Sequence, residues 1–361
     1  MRIKYGLIIL LLFASFKIFA QEDPKFVLFP WMNPFYNPGA MGEQENHLNF
    51  IGVLNQYSMM MRAEPDENDN TNNNDNNNNN NNNKNNPFKR NDKNKGTKID
   101  GQQVVIHIDS YIKQIKGAVG VVFIKDKNGD QDNIEFRFGY ATRFRIRGGS
   151  LGIGVQLGFL NQKPGTHLKP FQENDQTITN AKEGSYMDFD MNLGLQYKAP
   201  TWHVGFACSK VIGGVRISGE KTGFKVPRQL YFTGGYIWNL NTAVPWSIEP
   251  SIMIRTNLTT WSMGILAAAR YNGILWFGLS YELDHAISMF AGAVPFYNNS
   301  NEYLKRLELG VAYSFVTAKY GYKKNGSMGD FQILVRYGFN FYKDKALTGY
   351  GSSRHLYKNQ Y

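Results

Sequence analysis

Long stretches of strict alternation between apolar and polar residues dominate this chain. In residues 133–147 one face carries Ile134, Phe136, Phe138, Tyr140, Thr142, Phe144 and Ile146, and the other carries Glu135, Arg137, Gly139, Ala141, Arg143, Arg145 and Arg147. A period of two predicts a β-strand with one apolar and one polar face. The run is also longer than the usual globular strand of about 5–6 residues.

The same alternation recurs along most of the chain and predicts about fourteen strands, an even number like that of bacterial outer-membrane barrels. A soluble β-sandwich would also alternate, but with shorter strands and less aromatic strand ends. The prediction is therefore an all-β, transmembrane, antiparallel up-and-down outer-membrane β-barrel. The strands are expected near 46–62, 102–112, 115–125, 133–147, 151–161, 185–198, 202–210, 228–239, 246–257, 259–271, 274–282, 285–294, 304–316 and 330–342.

The connections between these strands differ in length in a way that predicts their sidedness. Most even-numbered connections are short, whereas segments such as 63–101 and 162–184 are odd-numbered and long. Barrels have short periplasmic turns and longer outer loops, so we expect both chain ends of the barrel on the periplasmic side. The even-numbered connection 295–303 is longer than this rule predicts. The first outer loop contains an Asn-rich tract, residues 64–97, which we expect to be disordered because it has almost nothing apolar to bury.

The N-terminus carries the features of an export signal. Residues 1–20 combine a basic start, a short apolar core and Ala20 before a predicted cleavage site, so the chain is expected to reach the outer membrane of a Gram-negative cell. The barrel is predicted over 46–342, preceded by a periplasmic segment over 21–45 and followed by a tail over 343–361. The net charge is +11. The basic residues are scattered over strands and loops, which argues against nucleic acid as a partner.

The polar strand faces are predicted to line the barrel interior. Arginines there can pair with carboxylates and fill the lumen, or they can line an anion-selecting channel. The histidines show no metal-ligand spacing and no catalytic constellation is evident, so we expect no enzyme activity, no metal and no cofactor. The charged residues expected to line the lumen are Glu135, Arg137, Arg143, Arg145, Asp188, Asp190, Arg255, Arg270 and Arg336.

A proline-rich motif follows the export signal. It comprises Asp23, Pro24 and Phe26, and then a run from Asn33 to Gly42 in which Asn-Pro occurs twice. Proline fixes φ, and Asn-Pro favours turns. Aromatic residues lie close to both turns, so we expect a compact knot ahead of the first strand. Two roles stay open for it: a plug that covers the mouth or lumen of the barrel, and a docking surface for a partner.

This motif resembles the start of the PorP/SprF family, outer-membrane components of the Bacteroidetes type IX secretion and gliding machinery. Gly39 replaces the family's usual alanine, one residue fewer separates the two Asn-Pro pairs, and the Asn-rich tract and the tail are departures from the family. The resemblance implies partner-binding roles for Asp23, Pro24, Phe26, Asn33, Pro34, Phe35, Asn37, Pro38 and Gly42.

The function implied by the resemblance is a non-enzymatic scaffold in the lipid of the outer membrane. It would bind periplasmic secretion components on one side and secreted surface proteins or adhesins on the other, and so deliver or retain them at the cell surface. The alternative is a porin, or a transporter of small solutes or hydrophobic compounds. A plugged lumen would favour the scaffold and a continuous aqueous path the porin, because a barrel of about fourteen strands can have either.

Overall fold

The structure, a computed structural model, describes residues 23–43, 47–61, 97–128, 131–163, 185–218, 227–240, 245–283, 286–297, 304–316 and 329–340. The predicted signal peptide 1–20 and the tail 343–361 lie outside these residues. So does the Asn-rich tract 64–97, except for Thr97, which begins a strand.

Fourteen antiparallel strands make up the fold, and two of them are interrupted. β7 and β8 each consist of two segments, which pair with the same neighbouring strand. The strands are β1 (His47–Met61), β2 (Thr97–Ile112), β3 (Gly117–Asn128), β4 (Gln131–Ile146), β5 (Gly149–Lys163), β6 (Tyr186–Lys198), β7 (Trp202–Ser209 and Val215–Ser218), β8 (Gln229–Tyr236 and Trp238–Leu240), β9 (Trp246–Thr256), β10 (Trp261–Tyr271), β11 (Leu275–Glu282), β12 (Ala286–Ala293), β13 (Leu307–Val316) and β14 (Gly329–Asn340).

The strands close into a barrel. Each pairs with its neighbours in sequence, and the first pairs with the last, with His47 opposite Asn340 and Ser58 opposite Gly329. The predicted up-and-down barrel is therefore confirmed, as is its strand number. β2 begins at Thr97, earlier than predicted, because its first residue pairs with Met61 at the end of β1.

The apolar strand faces point outward, as the alternation predicted. On β4, Phe138 is 53% exposed whereas its neighbour Arg137 is 2% exposed. Two aromatic pairs lie at the end of the barrel where β1 begins. The ring centroids of Tyr197 and Trp202 are 5.1 Å apart, and those of Trp246 and Tyr271 are 4.9 Å apart. A closed ladder with an apolar outer face and interfacial aromatics is the form in which strands cross a bilayer. No helix in the described part of the chain has the length and apolar character to cross a membrane.

The main hydrophobic core lies inside the barrel and is built around residues 23–43, here called the lumen segment. Trp31 stacks on Trp276 of β11 with ring centroids 4.3 Å apart and donates its indole N–H to Glu308 Oε1 at 3.2 Å. The segment contributes Phe26, Leu28, Phe29, Trp31, Met32, Phe35 and Tyr36 to this core. The strands contribute Ile51, Val53, Val105, Val122, Ile124, Ala207, Tyr231, Met253, Leu266, Ala268, Trp276, Phe290, Ala312 and Leu334.

The lumen segment is folded by its own turns. A helical turn spans Asn33–Tyr36 and a 3-10 turn spans Pro38–Ala40. Between them, Asn37 Oδ1 accepts the backbone N–H of Gly39 at 2.9 Å, as a capping side chain does. The Tyr36 hydroxyl accepts the N–H of Phe26 at 3.1 Å and donates to the carbonyl of Pro24 at 3.2 Å. These bonds fold the start of the segment back onto its second half.

The turn at Asn37–Gly39 rests on strand glycines of β5 and β6. A Cβ added to Gly154 would lie 2.3 Å from the carbonyl carbon of Pro38, and one added to Gly194 would lie 2.1 Å from Asn37 Oδ1. A Cβ on Gly39 itself would lie 2.8 Å from the carbonyl oxygen of Gly152. Backbone therefore packs on backbone here, which explains why this chain has glycine at position 39.

We predict that Gly154→Ala loosens the lumen segment without unfolding the barrel. The added methyl group overlaps Pro38, and overpacking of this kind costs about 1–3 kcal/mol. Trypsin cleavage after Lys25 and the thermal unfolding midpoint, both measured in detergent micelles, report the change. Gly264→Ala on β10 is the matched control, because its Cβ would also face the lumen segment but would lie 3.8 Å from the nearest atom, on the ring of Phe29. Equal behaviour of the two variants would contradict the packing account.

Candidate functional site

Most of the motif residues highlighted by the resemblance lie deep in the lumen. Asp23, Pro24, Phe26, Phe35, Asn37, Pro38 and Gly42 are buried, whereas Asn33 and Pro34 are partly exposed. Both of these line a cavity at the mouth of the barrel. Among the described residues, this mouth is where the motif lines an open cavity. The partner-binding role of the nine residues stays a prediction.

Asp23 lies in a buried charge cluster formed with the barrel wall. Its Oδ1 is 3.2 Å from Lys210 Nζ and 3.7 Å from Arg137 Nη2. Its Oδ2 accepts hydrogen bonds from the Tyr231 hydroxyl at 2.7 Å and the Ser209 hydroxyl at 3.0 Å. Arg137 also donates through Nε to Glu135 Oε1 at 2.6 Å. Two cations and two carboxylates thus balance one another away from water.

The pKa of Asp23 follows from these neighbours. Burial raises the pKa of the carboxyl, but Lys210 and Arg137, together with the hydrogen bonds from Tyr231 and Ser209, outweigh burial and hold the pKa well below its usual range. Asp23 is therefore ionised at any physiological pH. A buried and fully paired charge is costly to break, so the cluster fastens the start of the lumen segment to β4 and to the β7–β8 region.

Lys210 reaches this cluster because β7 is interrupted. Lys210–Gly214 bulge out of the ladder, with positive φ at Lys210, Gly213 and Gly214. Side chains of β6 satisfy the freed backbone: Asp190 accepts the N–H groups of Ile212 at 3.1 Å and Gly214 at 2.8 Å, and Asn192 accepts that of Lys210 at 2.9 Å. The predicted lumen carboxylate Asp190 therefore supports a bulge, and Asp188, also buried, lies beside Gly214.

Arg143 fastens the other end of the lumen segment. Its guanidinium donates to the carbonyl oxygen of Met41 at 2.8 and 3.0 Å and to that of Gly39 at 3.2 Å. The N–H of Gly42 donates to Asp109 Oδ2 at 2.6 Å. Glu43 forms an ion pair with Lys198 at the mouth. Burial raises the pKa of Glu43, but Lys198 and Arg143 lower it to about 2.

Three more of the predicted lumen arginines lie near carboxylates on the opposite side of the barrel. Arg270 Nε is 2.9 Å from Glu249 Oε1, and Arg270 Nη1 is 3.3 Å from Glu308 Oε1. Arg336 Nη1 is 3.6 Å from Glu308 Oε2, and Arg255 contacts Glu282. Arg145 is exposed and lines the mouth. The interior is thus cross-linked by ion pairs around the lumen segment.

The mouth of the barrel contains an open cavity of about 880 Å³, here called the vestibule. It lies at the end with the short connections, since the turns after β2, β4 and β6 form part of its rim. Its floor includes Pro30, Trp31 and Pro34 of the lumen segment. The cationic side chains that line it are Lys113, Arg143, Arg145, Arg147, Lys198, Arg270 and Arg336, and the carboxylates are Glu43, Asp109 and Glu249.

Sequence reasoning missed several residues that hold the lumen segment. Lys210, Ser209 and Tyr231 bind Asp23, and Gln332 accepts the N–H of Val27 at 2.9 Å. The Gly213-Gly214 pair just after Lys210 was the available signal for a bulge. In the described ranges, no group of three or more His, Cys, Asp or Glu side chains is placed to hold a metal ion.

We predict that Asp23→Asn destabilises the packed lumen segment by about 3–5 kcal/mol, because it leaves Lys210 and Arg137 buried with one carboxylate fewer. Trypsin cleavage after Lys25 as a function of denaturant concentration measures the loss. Asp100→Asn is the control, since Asp100 is exposed and lies outside the cluster.

The stabilisation by Asp23 should depend on pH in a definite direction. A carboxylate with a depressed folded-state pKa stabilises fully above its unfolded pKa of about 3.9 and loses the effect as pH falls through the folded value. The advantage of the wild type over Asp23→Asn should therefore be constant from neutral pH to about pH 5 and shrink only in stronger acid. An advantage already lost near pH 6 would contradict the ion-pair assignment.

Comparisons with known proteins place this barrel in a family. No curated protein sequence matches the chain significantly. Among solved structures it is similar to the toluene transporter TbuX of Ralstonia pickettii (12% identity, 85% of this chain and 92% of that chain, TM-score 0.43). It is also similar to outer membrane protein Omp33 of Acinetobacter baumannii (7% identity, 82% of this chain and 100% of that chain, TM-score 0.40). The model of a type IX secretion system membrane protein family, PorP/SprF, matches residues 91–337. The match covers more than half of the chain, so this outer-membrane β-barrel belongs to the PorP/SprF family of type IX secretion system membrane proteins.

Proposed function

We propose that this protein works as a closed, non-enzymatic scaffold of the type IX secretion apparatus, and that it helps to deliver or retain secreted proteins or adhesins at the cell surface. The observation that carries the proposal is the lumen segment, whose apolar side chains form the main core inside the barrel. A pore needs a continuous aqueous path, whereas a scaffold needs a stable wall and a surface for partners.

Contacts of the lumen segment with several sides of the barrel support the closed state. Asn37 Nδ2 donates to the carbonyl of Leu195 on β6 at 2.9 Å, and Val27 N–H donates to Gln332 on β14 at 2.9 Å. Trp31 packs on β11. Together with the Asp23 cluster, these contacts bridge the lumen in several directions. The plug role and the docking role of the motif are compatible, because the buried residues fill the lumen while Asn33 and Pro34 face the vestibule.

The alternative, a porin or a transporter of hydrophobic compounds, is supported less well. The vestibule offers seven cationic side chains, and such charge suits a hydrophobic solute poorly. A path from the vestibule along the lumen segment would meet the core around Trp31 and the ion pairs of Asp23. We favour the scaffold, with periplasmic secretion components and surface proteins as its partners.

Deletion of residues 23–42, with the signal peptide and Gln21-Glu22 retained, should turn the closed barrel into a leaky one. Every ladder hydrogen bond remains available, so a heat-modifiable barrel should still assemble. Planar-bilayer recordings should show no large steady pore for the wild type and open channels for the deletion variant. In cells the deletion should increase antibiotic leakage and impair surface display of secreted proteins.

Two results would contradict the proposal: one concerns the closed lumen, and the other concerns the role of the segment in surface display. A large open pore in the wild-type recordings would favour the porin. Normal surface display by the deletion variant, with its barrel assembled, would show that the segment serves only as a seal. The variant Gly264→Ala, whose added methyl group has room beside Phe29, provides the control for a mild change in the lumen.

A further inference from the structure

We infer that the vestibule binds an acidic peptide segment of a periplasmic partner protein, one that carries an apolar side chain among its carboxylates. This inference rests on the proposed scaffold function and names the chemistry of its partner. It follows from the charge, the floor and the size of the vestibule.

Basic side chains predominate in the lining of the vestibule. Among the described residues, seven lysine and arginine side chains line it, against the three carboxylates of Glu43, Asp109 and Glu249. Each carboxylate already has a partner: Glu43 pairs with Lys198, Glu249 pairs with Arg270, and Asp109 accepts the N–H of Gly42. In the part of the chain that the structure describes, cations therefore outnumber carboxylates at the vestibule. A concave site lined by one sign of charge attracts and orients the opposite sign.

The position of the basic residues strengthens the argument. Lys113, Arg145 and Arg147 are exposed, and they lie at the turns after β2 and β4. They form one side of the rim, on which an approaching acidic chain would first make contact. Arginine suits this role because its planar guanidinium binds a carboxylate with two parallel hydrogen bonds.

The floor of the vestibule is apolar, which favours a peptide over a simple anion. Pro30 and Pro34 of the lumen segment are partly exposed there, and the buried side chains of Trp31, Leu266 and Ile51 lie beneath them. A volume of about 880 Å³ fits a few residues of an extended chain but not a folded domain. Apolar anchors in a pocket surrounded by charged contacts are typical of peptide recognition.

The protein's own C-terminal tail is a poor candidate for this occupant. β14 ends at Asn340, at the vestibule end of the barrel. The residues that follow include Lys343, Lys345, Arg354 and Lys358 but only one acidic side chain, Asp344. A basic tail is repelled by a basic vestibule. The charge of this tail therefore favours a separate chain as the complementary partner.

Fluorescence anisotropy on the full-length barrel in detergent micelles tests this inference. The probe is a short fluorescein-labelled peptide of glutamates around one phenylalanine, and the matched probe has glutamine in place of each glutamate. We expect the acidic peptide to bind at low salt and the glutamine peptide to bind about tenfold more weakly or not at all. The double variant Arg145→Glu/Arg147→Glu should lose at least about tenfold in affinity.

The control makes the same charge change at the other end of the barrel. Lys125→Glu/Lys127→Glu alters two exposed lysines near the end of β3, far from the vestibule, and should leave binding unchanged. An equal loss of peptide affinity in both double variants would show that only the net charge of the protein matters, and would overturn the inference. Complete displacement of the peptide by inorganic phosphate would indicate a simple anion site and would also overturn the inference. Failure of the acidic peptide to bind would overturn it as well.

The results that would overturn the acidic-peptide inference differ from those that would overturn the scaffold proposal. Absence of peptide binding by a barrel that is closed in bilayer recordings would overturn only the acidic-peptide inference. An open wild-type pore would overturn the scaffold whether or not the peptide binds.

Discussion

The fit of residues 23–43 into the lumen is the constraint on which the rest of the structure depends. Lipid requires every backbone group of the wall to be paired, so the strands close into a ring. A ring of fourteen strands encloses more space than the side chains of its wall can fill. The lumen segment supplies the missing core, and the wall is shaped to receive it: Trp276 stacks on Trp31, Gly154 leaves room for Pro38, and Lys210 pairs with Asp23.

The sequence was sufficient to predict the wall but not what fills it. Lipid on one side imposes a period of two that is visible residue by residue, and so the alternation alone assigns Phe136, Phe138 and Tyr140 to the outer face. The residues on the inward face are determined by packing against the lumen segment, whose contacts on the strands lie far from it in the sequence. Asp23 and Lys210 carry no local sign that they meet. The strands β11 and β12 hold the clearest clue: Trp276 and Phe290 are apolar residues on a face expected to be polar, and they pack on Trp31.

The same packing connects the motif to function. Its buried residues anchor the segment in the lumen, and its partly exposed residues, Asn33 and Pro34, line the vestibule. The proposed scaffold has to hold partners without leaking, and one segment can serve both needs. The basic rim and the apolar floor then determine which chemistry a partner must present.

Hydrogen–deuterium exchange of the full-length barrel in nanodiscs, read by mass spectrometry on peptides from residues 26–42, tests the central claim most directly. The backbone N–H groups of Phe26, Val27, Asn37 and Gly42 are all hydrogen-bonded inside the lumen. We expect these peptides to exchange as slowly as those from the strands, over hours, because exchange would require the core to open. Complete exchange within seconds, as in an unstructured leader on the periplasmic side, would contradict it.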